Sequence, residues 1–220
     1  MKYLNHHVYR LTTPAELAMV YRFRYKVYVE QMNRPGLKNV DHERKIIVDE
    51  WDHVPNLNLG IFENDQLIGV VRYNKIKRGT IAPYNEIFHF TQYHHFCGGD
   101  VSFCGKLITD RENQLLEAPL MLMEECFRLN FKFNTPYMLI DCNDHLVKFF
   151  TRHGLVHSHK AHHPEYGDIN IFVCNNFDED YFKAINSPFY HVLMQEKSHN
   201  LESPLHVFNN NIMESNHVYV

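Results

Sequence analysis

Three groups of side chains in this 220-residue chain have the types and spacing to do chemistry. The first is a single cation. Arg24 lies three or four positions from Val20, Tyr21, Val27 and Tyr28, so on a helix it shares their apolar face. A guanidinium there must find a partner. It either orders an acidic loop through a salt bridge to Asp49 or Asp52, or grips a substrate carboxylate. The second group is that acidic run, Asp49-Glu50-Trp51-Asp52. Its carboxylates can accept a proton directly or through water; the plainer account is a solvated loop anchored by Trp51. The third group sits on strands. Arg72 can bind a carboxylate, Lys106 can stabilise a developing negative charge, and Asp141 and Asn143 stand at the end of a buried strand. The plainer accounts are an outward strand residue, a surface lysine and helix capping by Asn143.

Cysteine and histidine add less. The five cysteines contain no CxxC pair and make no disulfide framework. Cys104 and Cys142 read as inert buried thiols. The 17 histidines are several times the usual share. They gather at His157, His159, His162 and His163, and at His94 and His95 beside Cys97. Imidazole and thiolate are zinc ligands, but a Cys-x2-Cys/His-x3-His framework is missing and a chain this long builds a core without metal. No metal is expected, although a metal-binding module remains the alternative. Histidines enriched on the surface would make the charge sensitive to pH between about 5.5 and 7.5.

The scaffold for these residues reads as one domain of class α/β or α+β. The chain is 45% hydrophobic and 22% charged, and its formal charge of -4, without a basic run, argues against a nucleic-acid partner. No apolar stretch approaches the roughly 20 residues of a membrane span, and Met1 to His7 lacks the apolar run of a signal peptide. A reduced, cytoplasmic protein is the expectation. A strand at 3–11 precedes Thr13-Pro14-Ala15-Glu16, a capping box with proline at the first helical position; the helix should run from 14 to about 30. Residues 37–56 read as a long loop with short helical pieces. A hairpin follows, with strands 58–62 and 67–73. Residues 83–100 read as irregular and 101–109 as a strand. The pattern then gives a helix from about 115 to 130, a strand at 137–141 and a helix at 144–153 stopped by Gly154. Strands at 156–159 and 169–174 flank a His-rich loop. A helix is expected near 180–185, in a C-terminal extension spanning 177–220, with a frayed end around Asn209-Asn210-Asn211.

This element order over roughly 5–175 resembles the GNAT N-acyltransferase superfamily. Leu67-Ile68-Gly69-Val70-Val71-Arg72 looks like its third strand, and Phe149-Phe150-Thr151-Arg152-His153-Gly154-Leu155 like the end of its last core helix. Three stretches look most like the N-acyl amino acid synthase and acyl-homoserine-lactone synthase branch: Arg24-Tyr25-Lys26-Val27-Tyr28, Asp49-Glu50-Trp51-Asp52 and Gly105-Lys106-Leu107-Ile108-Thr109-Asp110-Arg111. His163-Pro164-Glu165-Tyr166-Gly167 is similar to the turn between its last strands. The resemblance implies a mixed central sheet splayed between strands four and five, with flanking helices, over residues 1–176.

It also implies a function: transfer of an acyl group, of long chain in this branch, from a pantetheine thioester to the amine of a small molecule such as an amino acid. No bound cofactor is implied; acyl carrier protein or CoA supplies the thioester as co-substrate. Catalytic roles would fall on Glu50, Asp52 and Lys106, and substrate binding on Arg24, Arg72, Trp51 and Asn143. The donor would meet backbone amides at Leu107, Ile108 or Thr109, and its phosphate would meet Arg111. The apolar run 115–123 with Phe127 would line an acyl pocket or face the core. The chain departs from the pattern at several points. Arg111-Glu112-Asn113-Gln114-Leu115-Leu116 lacks the glycines whose amides cradle a CoA pyrophosphate. Phe150 stands where many relatives carry a tyrosine acid. Phe103 replaces a glutamate and Lys106 an arginine. A short-chain acetyl-CoA enzyme and an inactive binding protein of the same fold are the alternatives.

Overall fold

The computed structural model describes residues 7–112 and 115–202. The readings at 3–6, at Asn113-Gln114 and at 203–220 lie outside the described residues.

The capping box forms as written. Thr13 Oγ1 accepts from Glu16 N at 3.3 Å, and Glu16 Oε2 accepts from Thr13 N at 2.8 Å. It starts α1 (Pro14–Tyr25), which runs into a π-helical stretch, Lys26–Gln31. Val20, Phe23 and Val27 bury that face against Leu11 of β1 (Val8–Leu11), Val70 and Ile108. A small hairpin, β2 (Val40–Asp41) with β3 (Ile46–Ile47), and a single 3-10 turn, Glu50–His53, occupy the polar segment that follows.

The main sheet comprises β1, β4 (Asn56–Glu63), β5 (Gln66–Ile76), β6 (Val101–Thr109), β7 (Tyr137–Cys142), β8 (Val156–His163) and β9 (Gly167–Asn175). Their spatial order is β1-β4-β5-β6-β7-β9-β8. All neighbours are antiparallel except β6 and β7, which pair in parallel from Val101↔Tyr137 only as far as Cys104↔Ile140. Beyond Cys104 the two strands part, as the family resemblance implies.

Two expectations need correction. Residues 83–100 are not irregular: they form α2 (Asn85–Phe88) and α3 (Phe90–Cys97), each entered from a residue in the left-handed region, Tyr84 and His89, with no side-chain cap. The missing cap removed the start signal on which the sequence reading relies. The His-rich segment is strand, not loop: β8 continues to His163. Of its histidines His157 and His162 are exposed and only His163 is buried, so the polarity of this segment marks an edge strand rather than a turn.

One face of the sheet carries α4 (Ala118–Phe133) and α5 (Val147–Arg152). Leu122, Met123 and Phe127 of α4 are in the core against Val71, Tyr73 and Cys104. After α5, Gly154 turns the chain at φ +99°, the left-handed conformation that favours glycine, and a Cβ there would press on Phe182 Cε1 at 3.0 Å. The segment from 177 onward folds back as α6 (Glu179–Ala184) and α7 (Pro188–Glu202). Phe189 stacks on Phe127 with ring centroids 4.8 Å apart, so this segment shares the core of α4. The opposite face holds α1 and a second aromatic cluster, Trp51, Phe88, Phe90 and Phe103. No helix among the described residues is long and apolar enough to cross a membrane.

Candidate active site

A cleft of about 280 Å³ opens where β6 and β7 part. Gly105 to Thr109 form one side, and Asp141, Cys142 and Asn143 the other. The β5–β6 register slips between Val70↔Ile108 and Arg72↔Gly105, which leaves Lys106 and Leu107 as a bulge. Lys106 sits there at φ +57°, a conformation that costs a non-glycine residue about 1–3 kcal/mol. Asp110 N donates to Ile68 O at 2.8 Å. Alternation along an antiparallel ladder therefore commits the Ile108 amide to β5 and turns that of Thr109 toward the cleft. Of the three candidate amides at this strand end, that of Ile108 is thus spent on β5, although the residue itself lines the cleft.

Under the inner end lies a buried ion network. Asp49 Oδ1 accepts from Arg72 Nη1 at 2.5 Å, and Asp49 Oδ2 pairs with Lys106 Nζ at 3.0 Å. Arg72 Nη1 also lies 2.9 Å from Asp52 Oδ1. Arg24 Nη1 donates to Asp52 Oδ2 at 2.7 Å, and its Nη2 donates to Asn58 Oδ1 at 2.8 Å. Burial alone would raise the carboxyl pKa of both aspartates. Arg72 above all, then Lys106 for Asp49 and Arg24 for Asp52, reverses this and holds both below the ordinary range. The 3-10 turn delivers the acids through its own capping box: Asp49 accepts from Trp51 N at 3.0 Å and Asp52 from Asp49 N at 2.9 Å.

These contacts sort the sequence candidates. Glu50, Lys106, Arg72, Trp51, Asn143, Leu107, Thr109 and Arg111 all line the cleft. Arg24 and Asp52 do not: Arg24 has 0% exposure and Asp52 spends its carboxylate on two arginines. The catalytic role for Asp52 and substrate contact by Arg24 are therefore corrected; together they hold the acidic turn in place. Arg72, at 1% exposure, reaches the cleft wall with its guanidinium already on Asp49, so it too orients that turn. Trp51 is a wall, tilted against Phe103 with ring centres 4.5 Å apart. Asn143 precedes the 3-10 turn Asp144–Leu146 without a side-chain capping bond, so capping does not occupy it. Arg111 reaches Gln31 O with Nη1 at 3.4 Å. Of α4 only Pro119 lines the cleft, so its apolar run belongs to the core.

The sequence reading missed the aromatic half of the site. Tyr28, projected by the π-helix, and Tyr166 sandwich Lys106, whose Nζ lies 5.3 and 4.5 Å from the ring centres. Tyr166 OH is also hydrogen-bonded to Lys106 Nζ. A six-residue π stretch in an otherwise regular helix often marks a functional position, but no sequence pattern announces it. His163 packs against Tyr84 at 4.5 Å and Tyr166 at 4.7 Å. On the far wall burial pushes the Asp141 carboxyl up, with Lys106 opposing.

His163 gives a pH test. Burial above all, with Lys106 adding, lowers its pKa to about 4. The unfolded chain therefore binds a proton that the native site refuses between the ordinary value of roughly 6.5 and 4. Stability from this group is full above that window and is lost as pH falls through it. The His163→Phe variant should show a shallower fall in urea midpoint across the window than the parent; parallel curves would refute the assignment.

Among the described residues no group of three or more His, Cys, Asp or Glu is placed to hold a metal ion. No family model matches the chain, and no curated protein matches it by sequence. Solved structures do match in fold. FeeM, an N-acyl amino acid synthase from uncultured soil microbes, superposes with TM-score 0.65 at 12% identity, over 85% of this chain and 97% of that one. BjaI, a CoA-dependent acyl-homoserine lactone synthase, gives 0.59 at 12% identity, over 88% and 100%. An acyl-CoA N-acyltransferase from Pseudomonas aeruginosa gives 0.53 at 15% identity, over 77% and 98%. With its sheet opened between β6 and β7, the chain has the fold of the GNAT N-acyltransferases.

Proposed function

We propose that this protein is an N-acyltransferase that moves an acyl group, of long chain, from a pantetheine thioester to the amine of a small molecule. The observation that carries the reading is the slot itself: unpaired strand edges at Leu107 and Thr109 face Asp141 and Asn143 across a cleft that ends on Glu50 and Lys106. A pantetheine arm pairs there like an extra strand, with the thioester where the strands part. Arg111, exposed at one edge, holds the phosphate. Leu107, Leu146 and Phe149 supply apolar surface for the acyl chain. The fold neighbours named above include enzymes that use CoA thioesters.

The chemistry needs no covalent nucleophile. Glu50 takes a proton from the acceptor nitrogen, the nitrogen attacks the thioester carbon, and the C–S bond breaks to give an amide and a thiolate. The Lys106 ammonium, between two phenol rings, and the outward amides of β6 stabilise the negative charge on the carbonyl oxygen. Phe150, at 1% exposure, supplies no acid. Asp141, on the far wall of the cleft and with its carboxyl pKa pushed up by burial, is the group placed to return a proton to the departing thiolate.

The test is release of free thiol from decanoyl-CoA, decanoyl-acyl carrier protein and acetyl-CoA over an amine panel, with products identified by mass spectrometry. Amide formation with a decanoyl donor supports the reading. Turnover with acetyl-CoA alone would make this a short-chain enzyme, and donor binding without turnover a binding protein.

A further inference from the structure

We propose that the acceptor is a small amine carrying a second positive group and no carboxylate, a diamine or guanidino-amine, seated between Glu50 and Glu165; this rests on the acyl-transfer reading above. Three separate segments build the seat. The amide of Asn39, just before β2, donates through one Nδ2 to Glu50 Oε2 at 3.4 Å and to Glu165 Oε1 at 3.0 Å. Glu50 comes from the 3-10 turn, Glu165 from the turn between β8 and β9, and both line the cleft. Two carboxylates are thus drawn within reach of a single amide group.

A second, independent feature walls the same space. Tyr84, His163, Tyr166 and Tyr28 form a row of rings, with centroids 4.5, 4.7 and 6.3 Å apart in that order. All four line the cleft. Tyr84 OH donates to Glu50 Oε1 at 3.2 Å, and Glu165 N donates to His163 Nδ1 at 3.1 Å, so rings and carboxylates are one assembly. Tyr28 and Tyr166 already hold the Lys106 ammonium, so the faces left beside the two carboxylates are those of Tyr84 and His163; carboxylates flanked by such faces select alkylammonium and guanidinium groups, which gain from the ion pair and from the ring quadrupole together.

The cations beside the acidic turn are already engaged: Arg72 and Lys106 pair with Asp49, and Arg24 with Asp52. Arg34 and Arg111 lie beside the end of the π-helix, where Arg34 N donates to Tyr28 O and Arg111 Nη1 to Gln31 O, the side assigned to the donor phosphate. An acceptor carboxylate would meet Glu50 and Glu165 at the seat, like charges that oppose it. Reaction imposes a further preference. A monoamine must be neutral to attack and so loses its ion pair at that moment. A diamine keeps one charge on Glu165 while its other nitrogen, reacting as the free amine, gives one proton to Glu50.

The test uses pairs that differ only by a carboxylate. Putrescine against ornithine and agmatine against arginine, with butylamine as the singly charged control, are titrated calorimetrically into the full-length protein without donor; thiol release from decanoyl-CoA is then measured with each. The decarboxylated partner should bind about tenfold tighter or better, as should putrescine over butylamine. Glu165→Gln should weaken putrescine by about tenfold and butylamine by less than about threefold, with Glu165→Asp recovering part of the loss. Equal or tighter binding of the amino acids, no binding of either diamine, or a Glu165→Gln variant that treats putrescine like the parent, would overturn the seat. The selective binding pattern without thiol release from any donor would overturn the acyl-transfer reading and leave the seat standing. Thiol release with ornithine but not putrescine would do the reverse.

Discussion

Asp49→Asn should lower the stability of the protein by about 3–5 kcal/mol, one of the largest losses any single polar substitution here can cause. Asp49 has 5% exposure and holds both Arg72 and Lys106. Neutralising it strands two cations in a dry site, and Asp52, already on Arg24, can answer only for Arg72. The penalty is chiefly that of an uncompensated buried charge, so it should shrink when the charges leave together. The triple variant Asp49→Leu, Arg72→Met, Lys106→Met should return to within about 2 kcal/mol of the parent while losing turnover, because a buried ion cluster is often no more stabilising than a well-packed apolar one. Urea denaturation read by Trp51 fluorescence, with stability extrapolated linearly to water, decides this. A single variant that unfolds at the parent's midpoint would show that the network does not hold the acidic turn.

How much of this was legible depends on the range over which each signal acts. The start of α1 was readable because Thr13 and Glu16 satisfy orphan amides three residues away, and Gly154 because its left-handed turn favours glycine. The need of Arg24 for an acidic partner was readable from its place on an apolar helix face, and Asp52 is that partner. The site itself is made by approaches over long separations, and these leave no local trace. Tyr166 meets Lys106 across the β8–β9 turn, and Asn39 joins Glu50 to Glu165. Tyr28 owes its position to the π-helix and Lys106 its aim to a bulge. Neither distortion has a composition. Asn58, set between the apolar Leu57 and Leu59 of β4 with 1% exposure, was a clue that could have been followed: a buried amide there needs a hydrogen-bond partner, and Arg24 is that partner.

Glu50→Gln should reduce kcat/KM by about a hundredfold to ten-thousandfold, the range expected when a general base is removed from a reaction that needs one. Glu50 is half-buried and makes no ion pair among the described contacts; Asn39 donates to its Oε2 and Tyr84 to its Oε1, and a glutamine can keep both contacts by accepting from the Asn39 amide and donating to the Tyr84 hydroxyl oxygen. Its replacement should therefore leave stability within about 0.5 kcal/mol. Asp141→Asn should also slow turnover, but for the opposite reason: it removes the proton delivered to the leaving sulfur. The two roles separate when the donor is changed. A thiophenol thioester leaves as a stable thiolate and needs no acid, so the ratio of variant to parent rate should approach one for Asp141→Asn with that donor and stay low for Glu50→Gln. If the activated donor rescues Glu50→Gln instead, the base is on the β7 side of the cleft and the acid on the turn. Rescue of neither would remove Asp141 as the acid and leave the base assignment of Glu50 standing, since a better leaving group can repair only a defect in departure.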